Sequence, residues 1–405
     1  MKKIKIKSLQ VIIPFLIALC LFSCSKRPDI DALLITGQNN HKWQGSNVVI
    51  KSILENTGIF KVDVAQSPSQ GRDMSKFIID FSPYDLVILD YNGDEWPDET
   101  KKNFVSFVET GGGVVVYHAA NNAFPGWKEY NEITGLGGWG KRDENSGPYV
   151  YVKDGEVVRD DSQGRGGSHG PQHEFVVETF NPDHPIMKGL PDKWLHVKDE
   201  LYSQLRGPGK NMEILATAYA DEKYKGTGRN EPILLTVRYG QGRIFHTVIG
   251  HAGGKEMFYP AMECAGFITT LQRGAEWAAT GKVTQKVPEG LPSATETVRW
   301  EYYEKMDMDI IRARISDYEV GKTNNCFIAL KDMFKENIDD PEKIEEYHNL
   351  ILDILQSRKA SKEGKKILMK DFSWMANESY IPVYKDLSAD EDLKNEALYA
   401  LEMLD

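Results

Sequence analysis

Two histidines and two acids occupy positions from which the chain could do chemistry. The stretch GGGVVVYHAANNAF, residues 111–124, ends an apolar run at His118, and a second apolar run ends at His251. The segment LHVKDELY places Asp199 and Glu200 side by side. An imidazole can bind a metal, move a proton or donate a hydrogen bond, and a carboxylate can accept a proton. We predict that His118 and His251 are catalytic, with Glu200 or Asp199 as proton acceptor; capping of a helix is the alternative for Asp199.

Further histidines lie in a glycine-rich stretch. The motif SHGPQH spaces His169 and His173 four residues apart, but Pro171 prevents them from forming a ligand pair on one helix. Histidines near carboxylates are typical ligands of zinc and similar divalent ions. The chain could therefore hold a divalent metal, with His169, His173 and His118 as candidate ligands. By contrast, His246 lies inside an apolar strand pattern and is predicted to be a core histidine.

Polar and aromatic side chains in the loops are candidates for holding a substrate. Amides and imidazoles can hydrogen-bond to hydroxyl groups, and a tryptophan in a polar loop can stack on a sugar ring or simply pack within the loop. We predict substrate binding by His41, Trp43, Asn121, Asn122, Trp127 and Arg206.

Strands and helices must position these residues. Between residues 31 and 282, short apolar runs alternate with helical segments, a pattern typical of an α/β domain with a mostly parallel sheet. Strands are predicted at 32–37, 60–66, 84–91 and 113–119, with helices at 47–55, 74–80 and 97–110. Ligands bind outside the carboxyl ends of such strands, which gathers residues 36–43, 90–94 and 118–122 at one edge. The strand-to-helix turn that raises a nucleophile in related hydrolases carries His118 here, with no cysteine or serine, so covalent acyl chemistry is not expected.

The rest of the chain divides into a loop, a second set of strands and a helical region. Residues 135–173 are rich in glycine and charge, and we predict a loop that closes over the site as a lid. Strands resume after it, and a helix at 259–280 ends the domain. A linker at 283–297 precedes a helical region, 298–405, in which YIPVYKDLSADEDLKNEALYALEML resembles a HEAT unit. We predict a small helical array that could bind a protein partner.

The N-terminus predicts export. Four lysines precede an uncharged run at 9–22 that is too short to span a bilayer comfortably, and the run ends at Cys24 in a sequence that resembles a lipobox. We predict that residues 1–24 are a lipoprotein signal peptide and that Cys24 anchors a cell-envelope protein, in the periplasm or outer membrane, through lipid. An ordinary signal peptide and an uncleaved anchor are the alternatives.

The net charge argues against nucleic acid as a partner. Residues 1–24 contain four lysines and no acid, so the formal charge of −11 becomes −15 without them. Cys264 and Cys326 are predicted to be free and buried.

Several long motifs resemble those of the ThuA-like (trehalose utilisation) family. They are LLITGQNNHKW, GGGVVVYHAANNAFPGW, SHGPQHEFVVETFNPDHPIMKGLPDKWLHVKDELYSQLRGP, GTGRNEPILLTVRYGQGRIFHTVIGH and FITTLQRGAEWAATGKV, in family order across residues 30–282. The resemblance implies a flavodoxin-like, class I glutamine amidotransferase-like fold without the amidotransferase cysteine. It also implies a role in the use of disaccharides, glycosides or 3-keto-glycosides.

From the residues and the resemblance together, we predict a carbohydrate-processing enzyme. It would act on a disaccharide, glycoside or 3-keto-glycoside by acid/base or metal-assisted cleavage or isomerisation. A non-catalytic sugar-binding or scaffolding lipoprotein is the alternative. A thiol or redox enzyme is not expected, because no cysteine is paired or placed at the strand-to-helix turn.

Overall fold

The computed structural model describes residues 30–253, 259–300, 306–319 and 325–404. The predicted signal peptide and Cys24 lie outside the described residues. The strands are β1 (Ile30–Thr36), β2 (Phe60–Gln66), β3 (Leu86–Leu89), β4 (Gly113–Tyr117), β5 (Tyr149–Lys153), β6 (Glu156–Asp160), β7 (His173–Thr179), β8 (Lys193–Asp199), β9 (Met212–Tyr219), β10 (Asn230–Tyr239) and β11 (Gly242–Thr247). The helices are α1 (Trp43–Glu55), α2 (Asp98–Glu109), α3 (Lys128–Thr134), α4 (Pro260–Glu263), α5 (Ala265–Thr280), α6 (Met308–Ser316), α7 (Asn325–Glu336), α8 (Pro341–Gln356), α9 (Lys362–Asp371), α10 (Ile381–Leu387) and α11 (Lys394–Glu402).

The sheet is mixed and has two halves. The first half, in the order β2-β1-β3-β4-β11, is parallel throughout. Its order matches that of flavodoxin-like sheets, in which the strand order reverses between the first and third strands. Every residue of β3 and β4 is buried, which explains their uninterrupted apolar sequences. The predicted α/β fold with a mostly parallel sheet and a helical C-terminal region is confirmed.

The second half of the sheet is antiparallel and was not predicted as such. Strands β10, β9, β7 and β8 continue from β11, and the β5–β6 hairpin joins the edge of β10. This hairpin lies within the glycine-rich stretch for which we predicted only a loop. Its first strand, Tyr149–Lys153, is short but mostly buried, and the glycines and charges around it hid its apolar sequence. Predicting a loop throughout 135–173 was therefore wrong, and the lid role of this stretch stays a prediction.

Two predicted helices also differ. Residues 74–80 form turns and irregular backbone, and Ile79 N and Phe77 O are bonded by the Thr100 hydroxyl of α2 rather than within a helix. The helix predicted at 259–280 is broken at Cys264, whose φ of −60° and ψ of 124° are extended. Cys264 and Arg299 form an isolated antiparallel bridge there, so the break lets a later segment pair with the chain.

The C-terminal helices pack against α1. Val48 of α1 belongs to their apolar core, and Trp43 at the start of α1 lies against Tyr399 of α11, with ring centroids 5.6 Å apart. Cys264 and Cys326 are free and buried, as predicted. No helix within the described residues has the length and apolar character needed to span a bilayer.

Candidate active site

Three histidines and one glutamate meet at the carboxyl ends of the parallel strands. His41 follows β1, His118 follows β4, His251 follows β11, and Glu200 comes directly after β8. One ligand atom from each lies within 4.8 Å of every other. The edge rule for parallel sheets accounts for the three histidines, whereas the antiparallel half of the sheet supplies the acid.

Glu200 lies at the centre of this cluster. Its Oε1 is 3.2 Å from Nε2 of His251, and its Oε2 is 3.6 Å from Nε2 of His41 and 3.8 Å from Nε2 of His118. His169 reaches the same oxygen from the solvent side at 3.9 Å. Burial by itself would raise the pKa of Glu200, but the surrounding His41, His251 and His169 outweigh burial and lower it. The carboxylate form is therefore favoured at neutral pH.

His118 is held rigidly in an unusual backbone conformation. It is the first residue after β4, where the strand turns sharply into a short 3₁₀ helix, and its φ is +44°. A non-glycine residue pays a conformational cost there, which is common at functional sites. Its Nδ1 lies 2.5 Å from the carbonyl of Val248, and since a carbonyl only accepts, Nδ1 carries the hydrogen and Nε2 has the free lone pair. The Tyr202 hydroxyl is 3.0 Å from Nε2. Burial, reinforced by the neighbouring histidines, holds the pKa of His118 well below its usual value, so the ring is neutral.

His41 is oriented by a buried polar chain. Its Nδ1 is 3.2 Å from Oδ1 of Asn39, whose amide nitrogen donates to Asp90 at 3.1 Å. Because the amide oxygen accepts, the hydrogen of His41 sits on Nδ1 and Nε2 faces the cluster as a lone pair. Asp90 also accepts from the Ser46 hydroxyl at 2.6 Å and the Thr36 hydroxyl at 3.4 Å. Burial raises the pKa of Asp90 to about 7, against the opposing effect of these hydrogen bonds.

His251 has the opposite tautomer. The Gln172 amide nitrogen lies 3.0 Å from Nδ1 and donates to it, so the hydrogen of the neutral ring is on Nε2 and points at Glu200. Turning the Gln172 amide over would place its oxygen beside Nδ1 and leave Nε2 free as a ligand. Burial lowers the pKa of His251, and the charge of Glu200 opposes that shift.

Asp199 connects the backbone at Glu200 with that at Gly250 and His251, and it does not line the cavity. It is fully buried, and its Oδ1 accepts from the backbone N–H groups of Glu200 at 2.7 Å and His251 at 3.1 Å. Its Oδ2 accepts from Gly250 N and from Nε2 of His196, both at 2.7 Å. Asp199 ends β8 and caps no helix. Its position is that of a residue that orients Glu200 and His251, and the geometry does not place it where it could take a proton from a substrate.

His196 connects this carboxylate to a buried thiol. Burial disfavours the charged ring, but the neighbouring Cys264 and the bond to Asp199 outweigh it and raise the pKa of His196 to about 10. Burial likewise raises the pKa of the Cys264 thiol, and the His196 charge reverses that effect and lowers it to about 7. None of the three side chains is exposed to solvent, so this group is part of the scaffold.

A cavity of about 530 Å³ opens over the cluster. Its polar lining suits a ligand rich in hydroxyl groups, and Oδ1 of Asn122 is buried there without a hydrogen-bond partner among the described residues. The lining residues are Asn40, His41, Asn92, Asn122, Trp139, Gly140, His169, Glu200, Tyr202, His251 and Gly253.

Two residues predicted for this site lie elsewhere because they pack against other aromatic rings. His173, a candidate metal ligand, stacks on Tyr224 with ring centroids 3.8 Å apart, and its Nδ1 lies 2.9 Å from the carbonyl of Pro171. Trp43, a candidate sugar platform, is buried against Tyr399. Neither lines the cavity.

Three other predicted substrate-binding residues are also outside the cavity lining. Trp127 belongs to an aromatic cluster beneath the strand ends and contacts Phe124 and Tyr130. Asn121 is fully buried and its amide nitrogen is 3.1 Å from Nε2 of His246, which is itself a core histidine as predicted. Arg206 is buried with its guanidinium bonded to backbone carbonyls. Of the predicted substrate-binding set, the structure brings His41 and Asn122 to the cavity.

Four side chains of the cavity lining were not among the predicted site residues. Asn40 and Asn92 follow β1 and β3 and lie within the ranges 36–43 and 90–94 that the edge rule gathered, but neither was chosen as a substrate-binding residue. Tyr202 and Trp139 lie in irregular segments, with ring centroids 4.6 Å apart in an edge-to-face contact. No periodic pattern marks these two, because neither is on a strand or helix.

The cluster fits a divalent metal. Four ligands at about 2.0 to 2.1 Å from a zinc ion stand roughly 3.3 Å apart, so ligand atoms that are now up to 4.8 Å apart would have to close in by up to about 1.5 Å. His41 presents a lone pair and has its other nitrogen bonded to a fixed acceptor, as metal-binding histidines usually do; Nε2 of His118 accepts from the Tyr202 hydroxyl, which a metal would displace. The buried group of three histidines and Glu200 could therefore hold a metal.

Fold and site together define a flavodoxin-type α/β protein that has a histidine and carboxylate cluster where related hydrolases have a nucleophile. Comparison with known proteins makes this more specific. The family model for ThuA, described as trehalose utilisation, matches residues 31–278, and the chain belongs to that family.

Similar proteins are also found among solved structures. A ThuA-like protein from Parabacteroides merdae ATCC 43184 is 60% identical, and the match covers 67% of this chain and 97% of that one, with a TM-score of 0.66. A ThuA-like protein from Bacteroides uniformis ATCC 8492 is 19% identical over 64% of this chain and 94% of that one, with a TM-score of 0.43. No curated protein matches the chain.

Proposed function

We propose that this chain is a metal-dependent enzyme that processes a carbohydrate, either a disaccharide, a glycoside or a 3-keto-glycoside, by cleavage or isomerisation. The observation that carries the proposal is the cluster of His41, His118, His251 and Glu200 at the floor of a polar cavity. A purely structural cluster would be sealed, but the Glu200 side chain is 13% exposed and those of His41 and His251 are each 9% exposed.

The residues of the cavity have separable tasks in this proposal. A divalent ion held by the cluster would polarise a carbonyl or hydroxyl oxygen of the sugar. Without an ion, Glu200 and His251, 3.2 Å apart, form a pair that can take a proton from the substrate and return it; with an ion bound, the second carboxylate oxygen of Glu200 keeps the role of proton acceptor. Asn122 lines the cavity and offers its amide to a sugar hydroxyl, and the ring of Trp139 offers a stacking face. His169, at the solvent side, is positioned to exclude water once a sugar is bound.

Metal content is the first test. Protein purified without a histidine tag should carry stoichiometric zinc or a similar ion, or bind it tightly on addition, and His118→Ala should abolish this. His173→Ala is the matched control, because His173 stacks on Tyr224 away from the cluster. Equal metal binding by His118→Ala and the native chain would remove the metal from the proposal.

Turnover is the second test. The native chain should convert at least one member of a panel of glycosides and their 3-keto forms, detected by mass spectrometry, and Glu200→Gln should lose that activity while still folding. Binding of a sugar without conversion by the native chain, across the panel, would favour the non-catalytic alternative.

We also propose that the chain is an exported lipoprotein and that the helical region binds a protein partner. Support for the first comes from the charged start, the uncharged run and Cys24. Cys24→Ala should abolish metabolic labelling with palmitate and move the protein from the membrane fraction to the soluble one. Support for the second is indirect: α6–α11 have their own apolar core, which the proposed activity does not need.

A further inference from the structure

A second cavity, of about 390 Å³, lies beside the candidate active site. Neighbouring chain positions line the two: Ser168 faces the second cavity and His169 the first, and Gln204 faces the second while Tyr202 faces the first. Backbone bonds between Ser168 and Ser203 hold these two segments together. The second cavity has no part in the proposed metal chemistry.

The charge of this cavity is opposite to that of the chain. Four cations line it, Arg165, Arg206, Lys225 and Arg229, against one acid, Asp160, whereas the whole chain carries a formal charge of −11. The guanidinium of Arg229 lies 3.6 Å from Asp160, and the charge of Arg206 also helps to lower the pKa of that carboxyl, so one lining acid serves two of the four cations. The positive charge of the cavity is thus only partly compensated by the protein.

Arg206 is the buried cation of this cavity. It is 3% exposed, and its three nitrogens donate to the backbone carbonyls of Ser162 at 2.6 Å and of Gly147 and Arg165 at 3.3 Å. Carbonyls orient the guanidinium but do not neutralise it. Its nearest counter-charge in the lining, Asp160, is shared with Arg229, and an anionic ligand would supply a further one.

The uncharged lining suits hydroxyl groups. Hydroxyl and amide side chains of Ser162, Gln163, Ser168, Gln204 and Thr227 supply both donors and acceptors. The carboxyl of Glu231 lies behind this wall and is already satisfied, since the hydroxyls of Thr227 and Tyr149 and the backbone N–H of Gln204 all donate to it.

We infer that the second cavity binds a sugar that carries a carboxylate or phosphate group. Guanidinium groups recognise both anions by paired hydrogen bonds, and the hydroxyl and amide wall recognises the rest of the ring. The volume lies within the range of small-molecule sites. This inference stands independently of the metal-dependent activity.

Binding should be measured by isothermal titration with D-glucuronate, glucose 6-phosphate, glucose and acetate on protein treated with EDTA. Glucuronate or glucose 6-phosphate should bind at least tenfold more tightly than both glucose and acetate, a difference of about 1.4 kcal/mol. The anion that binds more tightly identifies the natural group. Glucose binding as well as the charged sugars, or acetate binding as well as either, would overturn the inference.

Substitutions in the two cavities test whether the charged sugar binds in the second cavity. The double variant Arg165→Gln and Arg229→Gln should weaken binding of the charged sugar about tenfold, because each loses a charge-assisted bond. Arg358→Gln, an exposed arginine of the helical region, is the matched control and should change nothing. His41→Ala should also leave binding intact, since it alters only the first cavity; loss of binding in that variant, or none in the double variant, would refute the location.

Discussion

Replacing Asp199 by asparagine tests how the candidate active site is assembled. The carboxylate receives four N–H donors, two on each oxygen, and connects the backbone at Glu200 with that at Gly250 and His251. In asparagine one oxygen becomes an NH₂ group, so the donors that faced it lose their acceptor. If the NH₂ takes the position of Oδ2, His196 can change tautomer and accept from it, but the Gly250 N–H is left unpaired.

The expected loss follows from these contacts. Hydrogen bonds to a charged group contribute about 1.5 to 3 kcal/mol, and a buried N–H left unpaired costs about 1 to 3 kcal/mol. We therefore expect Asp199→Asn to lower the free energy of unfolding by about 3 kcal/mol, against a typical total of about 5 to 15 kcal/mol, so the variant should still fold. Because Glu200 and His251 lose their shared anchor, zinc affinity should fall by about 10- to 100-fold, as is usual for partners of metal ligands.

The assay combines urea unfolding, followed by tryptophan fluorescence, with titration of zinc into metal-free protein. Asp73→Asn is a suitable control, since Asp73 is an exposed acid that bonds Ser75 within its own turn. If Asp199→Asn unfolds at the same urea concentration as the native chain and binds zinc equally well, the proposed anchoring role is refuted.

Three further predictions follow from the same geometry. Glu200→Gln should reduce zinc affinity at least tenfold and leave the unfolding temperature within a few degrees, because removing a partly buried charge offsets the lost contacts; a large loss of stability would contradict a functional role. Asp90 has a folded pKa of about 7, above its unfolded value of 3.8, so native stability should fall as pH rises from about 4 to 7, by up to about 4 kcal/mol, and Asp90→Asn should remove that fall in urea unfolding. Trp127→Ala should cost about 1 to 3 kcal/mol of stability without changing zinc affinity, since its partly buried ring packs in the aromatic cluster; unchanged stability would argue against that packing.

The parallel half of the fold was predictable from short-range patterns. Strand β2 begins and ends at the predicted residues, and β1, β3 and β4 differ by a few residues at their ends. Short runs of β-branched and other apolar residues, flanked by glycine or polar residues, favour buried strands over helices because of their length and composition. The edge rule for such sheets then placed His118 and His251 correctly at the strand ends, and this needed no knowledge of loop conformation.

The composition of the site was harder to predict because it depends on loops. His41 was expected to bind substrate, yet the Asn39 and Asp90 contacts turn its ring into the cluster. His173, expected to be a metal ligand, is turned away by its stacking on Tyr224. Both outcomes depend on which neighbour a side chain meets across long sequence separations, and residue spacing contains no record of that. The same reason accounts for Trp43 and Trp127, which were predicted to bind substrate but pack against Tyr399 and Phe124.

The position of Glu200 shows why this site needs both halves of the sheet. The parallel half can deliver imidazoles to one edge, since its strands end there, but it brings no carboxylate to the cluster. The acid comes from the end of β8, the outermost antiparallel strand, and it reaches the cluster because Asp199 binds the backbone on both sides of the gap. The antiparallel extension therefore belongs to the candidate site, because it supplies the carboxylate that adds a negative charge to the three histidines.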